Sequence, residues 1–170
     1  MKEPLVILVD EKDQETGQMA KLEAHVKGVL HRAISVLVFN SKGEMLLQRR
    51  ALNKYHSPGL WTNTSCSHPV PGEESRSAAE RRLMEEMGMK VELKFSFQFM
   101  YKTIFDNGLI ENEFDHVYFG ISDELPLLNR EEAMGYRYEE IETLIKKIKI
   151  NPECYTEWFK LMLPKVMEKL

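Results

Sequence analysis

The stretch "GEESRSAAERRLMEEMGM", residues 72 to 89, restricts the fold more than any other part of the chain. It predicts a helix: Ser75 is the expected N-cap, Glu73 and Glu74 suit the positive end of the dipole, and Gly88 is a stop. Its apolar residues Ala79, Leu83 and Met87 recur every four positions and form one stripe. Such a helix has to lie against another layer. The flanking sequence supplies strands for that layer. "PLVILVD" is short, apolar and β-branched, and the charged "EKDQETG" after it reads as a turn. In "HRAISVLVFNSKGEMLLQRRA" two apolar runs flank Asn40-Ser41-Lys42-Gly43, which predicts a hairpin. "VELKFSFQFMYKTIF" and "ENEFDHVYFGI" predict a second hairpin around Asp106-Asn107-Gly108. The tail from about residue 137 reads as two amphipathic helices split near Pro152. Strands and helices in this order predict an α/β layered fold. With no repeat, low-complexity tract or Pro/Gly-rich linker, residues 1–170 read as one domain.

Composition narrows the function classes. Hydrophobic residues make up 43% and charged residues 29%, the balance of a soluble globular protein. A net charge of −4 disfavours a general nucleic-acid surface, so any basic site must be local. No stretch approaches the roughly 18 apolar residues that span a membrane. The short apolar run Leu5 to Val9 is not followed by a small-residue cleavage site. Cys66 and Cys154 are too few and too far apart for a disulfide framework. The expectation is a cytoplasmic protein, monomeric or weakly dimeric, without nucleic-acid or membrane partners.

Four features carry chemistry. "WTNTSCSHPVPGEE" puts Cys66 and His68 close together, and Cys66 could be a nucleophile, a metal ligand, an acid–base group or a small residue filling a gap. Glu86 lies four residues after Arg82, on the same side of the helix. The loop before the helix offers backbone amides to anionic oxygen, and Mg²⁺ combines one or two carboxylates with phosphate oxygens. The alternative is a solvated surface helix. Glu111 and Glu113, two apart on a strand, share a face and repel unless a cation or a shared proton relieves them, although an exposed face tolerates such a pair. His25, His31 and His68 adjoin neighbouring strands, and imidazoles with two carboxylates suit a high-coordination N/O site. Taken singly, each histidine is also compatible with a solvent-facing or hydrogen-bonded role, which is where His56 and His116 are left.

The helix resembles a Nudix box, matching it at Glu73, Arg81, Leu83, Glu85, Glu86 and Gly88. It departs at Ser67, where the box starts with glycine, and at Arg82, where it has a glutamate. "LHRAISVLVFN", "LLQRRA", "PGLWTNTSCSHP", the altered box and "ENE" together resemble type I isopentenyl-diphosphate isomerase, from about Lys21 to Gly120. The resemblance implies a Nudix-type mixed β-sheet sandwiched between helices. It also implies interconversion of isopentenyl and dimethylallyl diphosphates, a step of isoprenoid biosynthesis, through a tertiary carbocation. The implied metal ligands are His25, His31, His68, Glu111 and Glu113 for Zn²⁺ or Mn²⁺, with Mg²⁺ between the diphosphate and Glu86. Cys66 and Glu113 match the proton-transfer pair on opposite faces of the substrate, and Tyr101 matches a tyrosine beside it. Lys21, Arg50, Lys54 and Arg82 match diphosphate contacts, and Trp158 matches the aromatic over the pocket. The residues alone leave two alternatives, a hydrolase of another diphosphate and a non-catalytic diphosphate-binding module.

Overall fold

The strand HRAISVLVF is buried along almost its whole length, so both of its faces must be covered. Fully buried strands belong in the middle of sheets with parallel neighbours. The structure, a computed structural model describing residues 3–170, shows this arrangement. In chain order the elements are β1 (Leu5–Val9), β2 (Glu15–Ala20), α1 (Lys21–Lys27), β3 (His31–Phe39), β4 (Met45–Arg50), β5 (Trp61–Thr62) and β6 (Ser65–Ser67). There follow α2 (Ser75–Met87), β7 (Lys94–Ile104), β8 (Ile110–Ile121), β9 (Ala133–Glu139), α3 (Ile141–Ile150), a 3-10 turn (Pro152–Cys154) and α4 (Glu157–Met167).

β3 runs parallel to β8 from His31↔Glu113 to Phe39↔Ile121. Its other edge pairs antiparallel with β6, which sets Ser35 opposite Cys66. Each face of this mixed sheet carries its own core. Ile34, Val36, Val38 and Leu46 pack with Ala79, Leu83 and Met87, the predicted stripe of α2. Leu37, Phe39, Leu47, Phe99 and Val117 pack with Leu144 of α3 and with Phe159, Met162 and Val166 of α4. Leu83 is completely buried, so Leu83→Ala is expected to destabilise the protein by about 2–5 kcal/mol, read from urea unfolding.

The second hairpin forms as expected, with β7 and β8 paired from Lys94↔Phe119 to Ile104↔Ile110. The first forms only at its turn. Asn40 Oδ1 accepts from the amides of Lys42 and Glu44, but the two strands share the single pair Phe39↔Met45. Beyond it β4 departs to pair with β9 and β5, because β6 and β8 already occupy the edges of β3. The N-cap of α2 is Glu74 rather than Ser75, and it makes no side-chain capping bond. Glu73 braces that end instead, accepting from the Val70 amide at 2.9 Å and from Arg81 at 2.8 and 3.0 Å. The turn expected over "EKDQETG" is shorter than drawn, since β2 begins at Glu15 as a polar edge strand. In the tail, residues 137–139 end β9 and the helices start at Ile141.

Candidate active site

The two faces of the central strands differ along their length. On the face covered by α3 and α4, β8 presents Glu111, Glu113 and Asp115 and then Val117, while β3 presents His31, Ala33, Ser35 and then Leu37. The apolar end is roofed by helices, and the polar end opens into a cavity of about 310 Å³. Tyr101 stands directly opposite Glu113 in the β7–β8 ladder. Asn112, pointing to the other face, donates to the Gly28 carbonyl at 3.1 Å and ties α1 to β8 between the two glutamates.

This packing gathers the predicted donors. His31 Nε2 lies 3.3 Å, His68 Nε2 2.9 Å and His25 Nε2 3.8 Å from Glu113 Oε1. Tyr101 Oη lies 2.5 Å from Glu113 Oε2 and 3.0 Å from Glu111 Oε2. Burial raises Glu113, but His68, whose Nε2 is hydrogen-bonded to it, opposes burial most strongly, and this carboxyl lies well below the usual range. Burial, reinforced by the negative Glu113, pushes Glu111 well above that range. Burial also lowers His68 to about 3, against the pull of Glu113.

His25 and His31 indicate what the cluster could hold. Each Nδ1 sits against a backbone carbonyl, Lys21 O at 2.7 Å and Val29 O at 2.8 Å, so each Nδ1 carries the hydrogen. Each Nε2 is buried, has no hydrogen-bond partner and faces a carboxylate oxygen. Carbonyl-oriented imidazoles presenting bare Nε2 atoms beside a carboxylate are the donor set of a divalent metal site. His25, His31, His68 and Glu113 place one donor atom each within 4.8 Å of one another, and His25, His56 and Glu111 do the same. The residues therefore fit a metal, with Glu111 reaching the cluster through His25 and Tyr101. Saturating Mn²⁺ or Zn²⁺ after chelation is expected to add about 2.7 kcal/mol at a hundredfold excess over Kd, or roughly 5–10 °C in Tm, read by calorimetry.

The predicted cations, Lys21, Arg50, Lys54 and Arg82, line the same cavity. Burial lowers Lys21, and the charges of Lys54 and Arg82 lower it further, so an anion there would be welcome. Arg50 is held by the carbonyls of Ser57 and His56 at 3.2 and 3.1 Å and lies 5.1 Å from the Trp158 ring centroid. Lys54 and Arg82 share Glu132 as an internal counter-ion. Arg82 also donates to Glu85 at 2.6 Å and to Glu86 at 2.8 Å. Glu86 accepts further bonds from Gln48 and Ser65. Cys66 enters from β6 and Glu113 from β8, strands on opposite edges of β3, and both reach the cavity. Burial pushes the Cys66 thiol far up and the negative Glu86 adds to this, so the group is a neutral thiol. It is also free of any disulfide. Trp158 is buried, lines the cavity and leaves its Nε1 without a partner.

A NUDIX domain model matches residues 29–159. An isopentenyl-diphosphate Delta-isomerase of Pectobacterium atrosepticum is 52% identical over 95% of this chain and 90% of its own. A second protein of that name, from Aromatoleum aromaticum, is also 52% identical, over 97% of this chain and 87% of its own. The chain belongs to the isopentenyl-diphosphate Delta-isomerase family of NUDIX-domain proteins. Solved structures show the same Nudix fold at low identity. A Deinococcus radiodurans protein has a TM-score of 0.80 at 20% identity, covering 95% of this chain and 98% of its own. The MutT protein of Methanosarcina mazei has 0.65 at 21%, covering 80% and 91%.

In this member of the isomerase family, sequence spacing did not single out four residues of the site. His56 is buried, with Nε2 3.2 Å from Glu111 Oε1, and burial followed by the Arg50 charge lowers it to about 2. Asp115 is buried beside the pair and accepts from Ser35 Oγ at 2.7 Å. Gln48 and Glu132 hold Glu86 and the two cations. His116 is hydrogen-bonded to Asp13 at 2.7 Å, away from the cavity. Cys154 is exposed on the 3-10 turn.

Proposed function

We propose that this chain interconverts isopentenyl diphosphate and dimethylallyl diphosphate, as one Nudix-type isomerase unit over residues 1–170. The observation that carries the reading is one cavity lined by four cations and also by a neutral thiol and a buried carboxylate that arrive from opposite edges of β3. Lys21, Arg50, Lys54 and Arg82 bind the diphosphate, with Glu132 releasing the two cations it holds. Glu86 would carry Mg²⁺ against that diphosphate, and the His25, His31, His68, Glu111 and Glu113 donors would hold Zn²⁺ or Mn²⁺. When bound, these ions supply the positive charge that clustered carboxylates and a diphosphate both require.

The chain's own groups move the protons. An unactivated alkene is a weak base, so protonating it takes a positioned acid in a dry pocket. Glu113, oriented by the Tyr101 hydroxyl, works at one carbon and Cys66 at the other. One proton is gained at the terminal methylene and one is lost from the carbon nearer the diphosphate, so composition is unchanged. The Trp158 face, already holding the Arg50 guanidinium, offers cation–π attraction to the carbocation without a nucleophile to trap it. Hydrolysis is disfavoured because Arg82 stands where the box has a glutamate and engages both Glu85 and Glu86. We place the protein in the cytoplasm, as a monomer or weak dimer. Among the described residues no helix is long and apolar enough to cross a membrane. NMR of isopentenyl diphosphate incubated with protein and divalent metal tests the function. The allylic isomer is expected; free phosphate would point to a hydrolase, and no turnover to a binding module.

A further inference from the structure

Beside the cavity of about 310 Å³ lies another of about 500 Å³, formed by residues 55–60 and the β7–β8 turn. The two have only Tyr55 and His56 in common. Tyr55 is 44% exposed and His56 is 8% exposed, so the imidazole is the inner partition. Its ring is stacked on Phe105, which lines the second cavity, at 4.8 Å and 10°. It stands edge-on to Trp158, which lines the first, at 5.6 Å and 88°. Its Nε2 approaches Glu111 and its ring stands against Trp158, while Arg50, one of the four diphosphate cations, reaches it through the His56 carbonyl. The ring therefore closes the site beside Glu111 and Trp158, the groups that would face the hydrocarbon.

We propose that the His56 ring is the end wall that sets how much hydrocarbon this site accepts, and that removing it joins the two cavities. The proposal rests on the isomerase reading. It identifies the excluded ligands by class: homoallylic diphosphates extended at the alkene end, of which 3-ethylbut-3-enyl diphosphate is the smallest. That compound reacts by the same balanced shift, one proton gained at the terminal methylene and one lost beside the diphosphate arm. A hydrophobic wall discriminates one extra methylene by about 10- to 200-fold.

The test compares kcat/KM for 3-ethylbut-3-enyl diphosphate with that for isopentenyl diphosphate in wild type, His56→Ala and His56→Phe. His56→Ala is expected to raise this ratio about 10-fold or more, mainly through KM of the homologue. His56→Phe rebuilds a ring without the Nε2 contact and is expected to keep the ratio within about threefold of wild type. Phe105→Ala removes the ring on which His56 stacks and is expected to move the ratio in the same direction as His56→Ala. An unchanged ratio in both alanine variants overturns the proposal. So does an equal rise in His56→Phe, which would show that the imidazole acts through Glu111 and not as a wall. If an alanine variant turns over neither compound, calorimetry with the saturated 3-ethylbutyl and 3-methylbutyl diphosphates decides. A preference shifted toward the ethyl compound sustains the wall, and an unshifted one sinks it. Wild type that fails to isomerise the five-carbon substrate refutes the isomerase reading instead, while the two saturated diphosphates still test the wall.

Discussion

Cys66→Ala is expected to lower kcat by about 100- to 10,000-fold, the range that a single positioned acid or base contributes. KM for the five-carbon diphosphate should change little, because the substitution leaves the four cations that bind it in place. The fold should survive as well. Cys66 is only partly buried, and β6 contributes just Ser65, Cys66 and Ser67 to the sheet. Steady-state kinetics with thermal unfolding of the same sample separates the two effects. Cys154→Ala, on the exposed turn before α4, is the matched control and should retain wild-type kinetics. Near-normal turnover by Cys66→Ala would remove the thiol from the mechanism.

Glu113→Gln should be as damaging to turnover, again about 100- to 10,000-fold, and its stability effect should change sign with metal. In the metal-free protein the carboxylate faces the bare Nε2 atoms of His25 and His31, an acceptor against two acceptors. An amide of the same shape offers donors to those atoms and relieves buried unsatisfied groups, each of which costs about 1–3 kcal/mol. With chelator present, Glu113→Gln should therefore melt no lower than wild type. With Mn²⁺ or Zn²⁺ added, wild type should gain more stability, because the variant has lost its anionic ligand. Two calorimetric scans of each protein, with and without metal, check this crossing. Parallel shifts in both proteins would show that Glu113 is not a ligand.

Residues tied together by local spacing were legible in the sequence, and those gathered by topology were not. Arg82 with Glu86, and Glu111 with Glu113, follow from helical and strand periods, and the structure places both pairs in the cavity. The stripe of α2 and the long β7–β8 hairpin are legible for the same reason. β2 and β9 escaped because they are half-exposed, and their polar or mixed residues show no two-residue apolar alternation. α1 has seven residues and no side-chain cap, too little for a periodic signal. His25 and His31 are separated by a helix end and a turn, so their place beside neighbouring strands only suggested a shared site and the family resemblance assigned it. His56 stands in "KYHSPG", a segment with no periodicity, and what matters is the loop's position over β8. Nothing local marks His56 as the one buried side chain of that segment.

The parallel ladder between β3 and β8 has a kinetic consequence. Even the Ser35–Asp115 side-chain hydrogen bond beside it spans 80 positions of the chain, and parallel pairing of such distant segments closes slowly. The proposed metal donors come from α1, β3, the segment after β6, and β8, so they converge only once β3 and β8 have paired. An ion that recognises the finished cluster does little for the rate at which the chain reaches it. Its influence falls on the way out: loaded protein opens more slowly, and the ion acts as a latch on a structure already assembled.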